Sequence, residues 1–185
     1  NSAPIVTAFR DFYEIGTTVT FDSGHFDPDA VYGHNDDNGR PFGARYHDTD
    51  GDVLASIQIT ALPNPAHGVL KLNGIAVLEN DEIAANQISA LTLEPAADWS
   101  GDAEFSWKAS DGESYSATAT TATITFGHIL HVTAQDTADG MKYFIDGIQQ
   151  PSLSIAEGEY YIFDVSDSSL AGESWGAYSQ ASFSI

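Results

Sequence analysis

The chain contains no cysteine. Disulfides, thiolate metal sites and thiol nucleophiles are excluded together. Basic residues are almost as scarce. Only six occur among 185 residues (Arg10, Arg40, Arg45, Lys71, Lys108 and Lys142), against 27 acidic ones, and the net charge is -21. The six form no stripe, so a nucleic-acid partner is excluded, and adsorption to anionic lipid is disfavoured for the same reason. No apolar run approaches the roughly 20 residues of a membrane-spanning helix, and no membrane insertion is expected. No Asn-x-Ser/Thr acceptor occurs, which argues against a heavily glycosylated ectodomain. Asn1-Ser2-Ala3-Pro4 does not read as a signal peptide, and the expectation is a segment of a longer protein.

What is present is a body that repels itself. Hydrophobic residues make up 42% and aromatics 11%, enough to build a core rather than a disordered tail. Bound cations are the natural offset to the acidic excess. With no disulfide available, calcium is the expected staple.

The residues read as strands. Val53, Ala55, Ile57 and Ile59 alternate with Ser56, Gln58 and Thr60, and Ala103, Phe105, Trp107 and Ala109 alternate with Glu104, Ser106 and Lys108; period two is the mark of a half-buried strand. Val19 and Phe21 form another face, and so do Tyr161, Phe163 and Val165. Ala117 to Phe126 is a Thr/Ala-rich run of strong strand character. Turn signals separate these runs: Pro63-Asn64-Pro65, Asn73-Gly74, Ser100-Gly101, Asp111-Gly112, Asp139-Gly140 and Asp146-Gly147. Short strands at this spacing predict an all-β chain built as a β-sandwich. One helical turn is expected near Asp81 to Ala90. Rhythm breaks near Gly127, and residues 128–185 read as a smaller β subdomain packed on, or completing, the first 127 residues.

The other break is chemical. Between Asp22 and Asp52 lie eight acidic residues and three histidines, with Gly, Asn and Pro between them and no alternation. A long irregular stretch inside a compact domain is usually functional, and residues 22–47 read as an inserted acidic loop. At its end stands Asp48-Thr49-Asp50-Gly51-Asp52. Carboxylates at alternate positions can converge on one hard cation. This is not an EF-hand, because the sixth position is Val53 rather than Gly and the twelfth is Ile59 rather than Glu. Its alternative is a solvated acidic turn. Asp98 or Asp111, each in a turn between strands, could complete the shell.

Within the loop, Asp27, Asp29, Asp36, Asp37 and Asn38 offer further oxygen ligands, and Gly39 permits a sharp bend. Tyr32, Arg40, Phe42, Arg45 and Tyr46 lie in the same stretch. A cation flanked by arginine and aromatic rings could hold an anionic ligand group. The alternative is a loop stiffened by calcium that binds nothing else.

Enzyme readings fare worse. Gly172-Glu173-Ser174-Trp175-Gly176 matches a nucleophile-elbow pattern, but no Asp or His follows it. His128 and His131 are three apart in a strand-like run, so they point to opposite faces and make a poor zinc pair. No catalytic residue is assigned.

A longer ordered set of residues carries a resemblance. It comprises Asp48-Thr49-Asp50-Gly51-Asp52-Val53-Leu54 with Ile57 and Ile59, Pro65 to Gly74, Leu91-Thr92-Leu93-Glu94-Pro95, Asp98-Trp99-Ser100-Gly101, and Phe105 to Gly112. In these, residues 1–126 resemble the cadherin-like and Ig-like β-sandwich repeats of giant bacterial RTX adhesins. The resemblance implies calcium at Asp48, Asp50 and Asp52. With the inserted loop and a tail containing Lys142-Tyr143-Phe144-Ile145-Asp146-Gly147, the whole looks like the calcium-dependent peptide-binding domain of such adhesins. That implies an extracellular, non-catalytic, monomeric module on a Gram-negative surface, whose partner is the C-terminal end of a peptide or protein on a target cell. Two alternatives stay open: a structural extender repeat, and a calcium-dependent carbohydrate-binding module with a glycan partner.

Overall fold

A computed structural model of the chain describes residues 1–27, 45–149 and 151–170, together with the backbone of 181–183. The fold is all-β, with two sheets closing over one core. In chain order the strands are β1 (Ile5–Val6), β2 (Phe9–Glu14), β3 (Val19–Thr20), β4 (Tyr46–His47), β5 (Ser56–Ala61), β6 (Gly68–Leu72), β7 (Ile75–Ala76) and β8 (Glu82–Ala84). They continue with β9 (Leu91–Pro95), β10 (Gly101–Ser110), β11 (Thr120–Thr137), β12 (Gly140–Ile145), β13 (Ile148–Gln149), β14 (Tyr161–Asp164) and β15 (Ala181–Phe183). One short helix, α1 (Ser23–Phe26), follows β3. The helical turn expected near Asp81 to Ala90 is a 3-10 helix at Ala85–Ala90, entered directly from β8.

One face of the sandwich is the sheet β2-β11-β10-β5-β8, and the other is β3-β9-β6-β7. The alternation in β10 decides which side is in: Ala103, Phe105, Trp107 and Ala109 are all buried at 1% exposure or less. They meet Ile57 and Ile59 of β5, Ile124 and Phe126 of β11, and Leu91 and Leu93 of β9 in one cluster. The aromatic centre is joined by Phe26, edge-on to Trp107 at 5.0 Å and to Phe9 at 5.6 Å. Burying one such ring stabilises by about 1.5–3 kcal/mol. Phe26 thus anchors the last turn of α1, and with it Asp27, to the sandwich.

Two strands differ from their sequence pattern. Val53 is 77% exposed while Leu54 is buried, because β5 begins only at Ser56 and the chain before it is still leaving the acidic turn. In β14 the buried residue is Ile162, with Tyr161 and Phe163 on the half-exposed side.

β11 does not stop at Gly127. Its first half pairs antiparallel with β10 and parallel with β2. Its second half pairs antiparallel with β12 and parallel with β14. At Gly127–His128 both edges of β11 change partner: one passes from β2 to β12 and the other from β10 to β14. The handover is tight: Gly127 O accepts from Ile15 N at 3.2 Å, and His128 N donates to Tyr160 O at 2.8 Å. Beyond Gly127 only Ala134 and Ile162 are buried apolar residues among those described, and neither belongs to the main cluster.

Candidate metal centre

Asp48-Thr49-Asp50-Gly51-Asp52 leaves β4, which is held by pairing with β1 through Ile5↔His47 and Val6↔Tyr46. The turn closes on itself. Asp48 Oδ1 accepts from Asp50 N at 2.8 Å and Asp52 N at 3.4 Å, and Gly51 N donates to Asp48 O at 3.3 Å. Gly51 sits at φ +84°, a conformation that a Cβ would strain. Two remote contacts brace the turn. The Tyr46 hydroxyl donates to Asp52 O at 2.9 Å, and Ser2 N donates to Asp50 Oδ2 at 2.6 Å. The result is that one carboxylate oxygen from each of Asp48, Asp50 and Asp52 lies within 4.8 Å of the others.

Three negative charges at that separation oppose each other by about 1 kcal/mol per pair in water, and by several times that at an effective dielectric near 20. None of the three carboxylates belongs to an ion pair seen among the described residues. Asp48 is 7% exposed, and its Oδ2 is buried with no hydrogen-bond partner. A buried carboxylate oxygen left without a donor or cation is costly. A hard divalent ion ligated by oxygen supplies what is missing. The donor set, all carboxylate with backbone carbonyls nearby, suits calcium rather than a softer metal.

The field around the turn is negative throughout. Burial pushes the Tyr46 phenol well above its ordinary value, and Asp48, Asp111, Asp27 and Asp52 each push it further. Asp50, by contrast, is held below the usual carboxylate range, chiefly by the backbone N–H of Ser2.

The remaining sequence candidates fall in three groups. Asp29, Tyr32, Asp36, Asp37, Asn38 and Arg40 lie outside the described residues, as does the Gly172–Gly176 pattern. Asp27 is buried at the C-cap of α1, donating its N–H to Ser23 O at 2.6 Å. Asp98 and Asp111 are not among the converging carboxylates. Asp98 is exposed at φ +55° in the turn before β10. Asp111 organises its own turn, its Oδ1 accepting from Glu113 N at 2.7 Å and Ser114 N at 2.6 Å. Tyr46 is a buried brace of the metal turn. Arg45 lies over the Phe9 ring at 4.1 Å, donating to His25 O at 2.6 Å and Asp11 Oδ1 at 3.2 Å.

Residues 44–126 match the cadherin-like domain model. Cadherin-like domains are typically non-catalytic adhesion or structural modules, generally bind calcium, and point to an extracellular setting. The cadherin-like span runs from the acidic turn through the first half of β11, so it holds Asp48, Asp50 and Asp52 and most of the core. No curated protein and no solved structure matches the chain. No helix among the described residues is long and apolar enough to cross a membrane.

Sequence reasoning missed a second feature. A cavity of about 450 Å³ opens between β2, α1 and Arg45, lined by Arg10, Asp11, Tyr13, Asp22, His25 and Arg45 among others. Its residues are scattered over 35 positions and carry no spacing motif. Only Asp22-Ser23-Gly24-His25, a helix N-cap with its partner, was a local signal.

Proposed function

We propose that the chain is a calcium-loaded, non-catalytic adhesion module of a larger surface protein of a Gram-negative bacterium, which holds the C-terminal end of peptides or proteins on target cells. The observation that carries the calcium part is Asp48: a carboxylate more than nine-tenths buried, with one oxygen organising its turn and the other unpartnered beside two further aspartates. Asp48, Asp50 and Asp52 would hold the ion. When bound, it supplies positive charge that offsets their repulsion. The chain's own part is to fix the turn through Tyr46, Ser2 and the β1–β4 pair. In sequence the inserted acidic stretch ends immediately before this turn. A cation there suits a partner that ends in a free carboxylate.

A second reading is favoured by one observation. β11 runs unbroken through Gly127, so the sandwich and the tail share a strand. A continuous strand is what a spacer that transmits length and direction requires. An array of peptides, each displayed with a free and with an amidated C-terminus, separates the two. Capture that needs both the free carboxylate and calcium supports the binding module. Capture of neither form supports the extender, and competition by free sugar rather than peptide supports a carbohydrate-binding module.

A further inference from the structure

The charged side chains around the cavity beside β2 are already paired. Arg10 forks onto Asp102 at 2.7 and 3.0 Å, Arg45 donates to Asp11 Oδ1 at 3.2 Å, and the His25 ring lies 2.7 Å from Asp22 Oδ1. Charge therefore gives the cavity no preference for an anion or a cation. Its course along the backbone says more. Arg10, Asp11, Phe12 and Tyr13 all line it. Successive side chains of a strand point to opposite faces of its sheet. Four consecutive residues can share one cavity only where it runs along the edge of the strand.

β2 is the end strand of the sheet β2-β11-β10-β5-β8, and among the described residues no strand pairs with its outer edge. The other end strands, β3, β7, β8 and β13, are only two or three residues long. The ladder decides which groups of β2 face outward. Ile15 N donates to Gly127 O at 3.2 Å, in register with Glu14↔Gly127 and Tyr13↔Phe126. In a parallel pair alternate residues address the partner strand, so Phe9, Asp11 and Tyr13 spend their N–H and C=O groups on β11. Those of Arg10, Phe12 and Glu14 point the other way. The Glu14 carbonyl agrees with this phase: it accepts from Thr17 N at 3.1 Å, in the turn that closes the edge. Arg10 and Phe12 thus turn two backbone donors and two acceptors toward the cavity, at the two-residue repeat that an added strand requires.

We infer that the outer edge of β2 takes up an extended peptide backbone as an additional strand, paired to Arg10 and Phe12 within this cavity. The inference deepens the proposed binding function by naming how the chain of the partner is held, and it rests on that reading. Main-chain hydrogen bonds supply the affinity in such strand addition. A strand rises about 3.3 Å per residue, so the four lining residues of β2 span roughly 13 Å, the length of a four-residue partner segment. A cavity of about 450 Å³ is of the size that holds a small ligand. A second copy of the chain is a poor occupant, because each copy carries a net charge of -21. With the lining charges paired off, recognition is by backbone and tolerates varied side chains.

The test is amide hydrogen exchange of the full chain, read by NMR in saturating calcium. The probe is N-acetyl-Thr-Val-Thr-Val-amide, and the control is the same peptide methylated at every amide nitrogen. With the probe at about ten times its dissociation constant, exchange at Arg10 and Phe12 is expected to slow about tenfold. Asp11 and Tyr13, already bonded to β11, should change little. The methylated peptide has no donor for the edge and should leave all four amides as they were. Phe12→Pro removes one outward donor and no bond to β11, which an end strand tolerates, and should weaken probe binding about fivefold to tenfold. Should Phe12→Pro fail to fold, the exchange pattern of the parent protein still decides. No slowing at Arg10 and Phe12, equal slowing at all four residues, or the same pattern with the methylated peptide would each overturn the strand addition. The probe has no free carboxylate and reads the edge alone, whereas the peptide array reads the carboxylate, so either can fail without the other.

Discussion

Asp48 is the residue on which most depends. Its two oxygens do different things. Oδ1 folds the turn by accepting two backbone N–H groups, and Oδ2 is buried and unpartnered. Asp48→Asn keeps the first role and removes the charge from the second. We predict that calcium affinity, read by isothermal titration, falls at least tenfold. In excess chelator the variant should melt no lower than the parent, because an uncompensated buried charge has been removed. An Asp48→Asn protein that binds calcium as tightly as the parent would contradict the assignment. Asp111 yields a prediction of opposite kind. The N–H groups of Ser114 and then Glu113 hold its carboxyl below the ordinary 3.8. A lowered folded value means that the contribution to the turn is present above pH 3.8 and is lost as pH falls through the lower folded value. Side-chain carboxyl NMR should place the Asp111 midpoint below 3.8, and a midpoint at or above it would remove this role.

At the scale of elements, the junction at Gly127 is the most constrained point of β11. A Cβ placed there would lie 2.8 Å from Tyr160 O and 3.1 Å from the Tyr160 carbonyl carbon. Both are backbone atoms that cannot swing aside. Gly127→Ala should cost about 1–3 kcal/mol through overpacking. The loss should appear as faster amide exchange in the second half of β11 and in β14, while β10 stays protected. Unchanged exchange and an unchanged melting curve would show that the approach of Tyr160 to Gly127 is looser than described. How much of these elements was legible follows a physical rule. Turns were legible, because Asn73-Gly74 and Asp146-Gly147 both adopt the paired positive φ that favours those residues. β10 was legible, because one side of it is wholly buried. The inner face of β14 was not: alternation reveals two faces but not which is covered, and the tail covers both thinly. Nor could the sequence show that the turn at Asp48 is braced by Ser2 and Tyr46, or that Tyr13, His25 and Asp22 line one cavity. Those contacts are made by the fold and leave no trace in spacing.

For the whole molecule the governing quantity is a charge of -21 on a body of 185 residues. Its sandwich core is well made, and its tail is carried on a shared strand with few buried apolar residues of its own. The acidic turn joins β4 to β5 and is tied to the N-terminal segment through Ser2, so a cation bound there acts on both. A ligand present at about a hundred times its dissociation constant stabilises the folded state by about 2.7 kcal/mol. For a chain of this size that corresponds to a rise of roughly 5–10 °C in melting temperature. Thermal unfolding of the full chain in saturating calcium and in excess EDTA is the most direct measurement of this dependence. The melting temperature is predicted to rise by that amount in calcium and to be insensitive to calcium in Asp48→Asn. Superimposable curves for the parent protein in calcium and in EDTA would contradict the account.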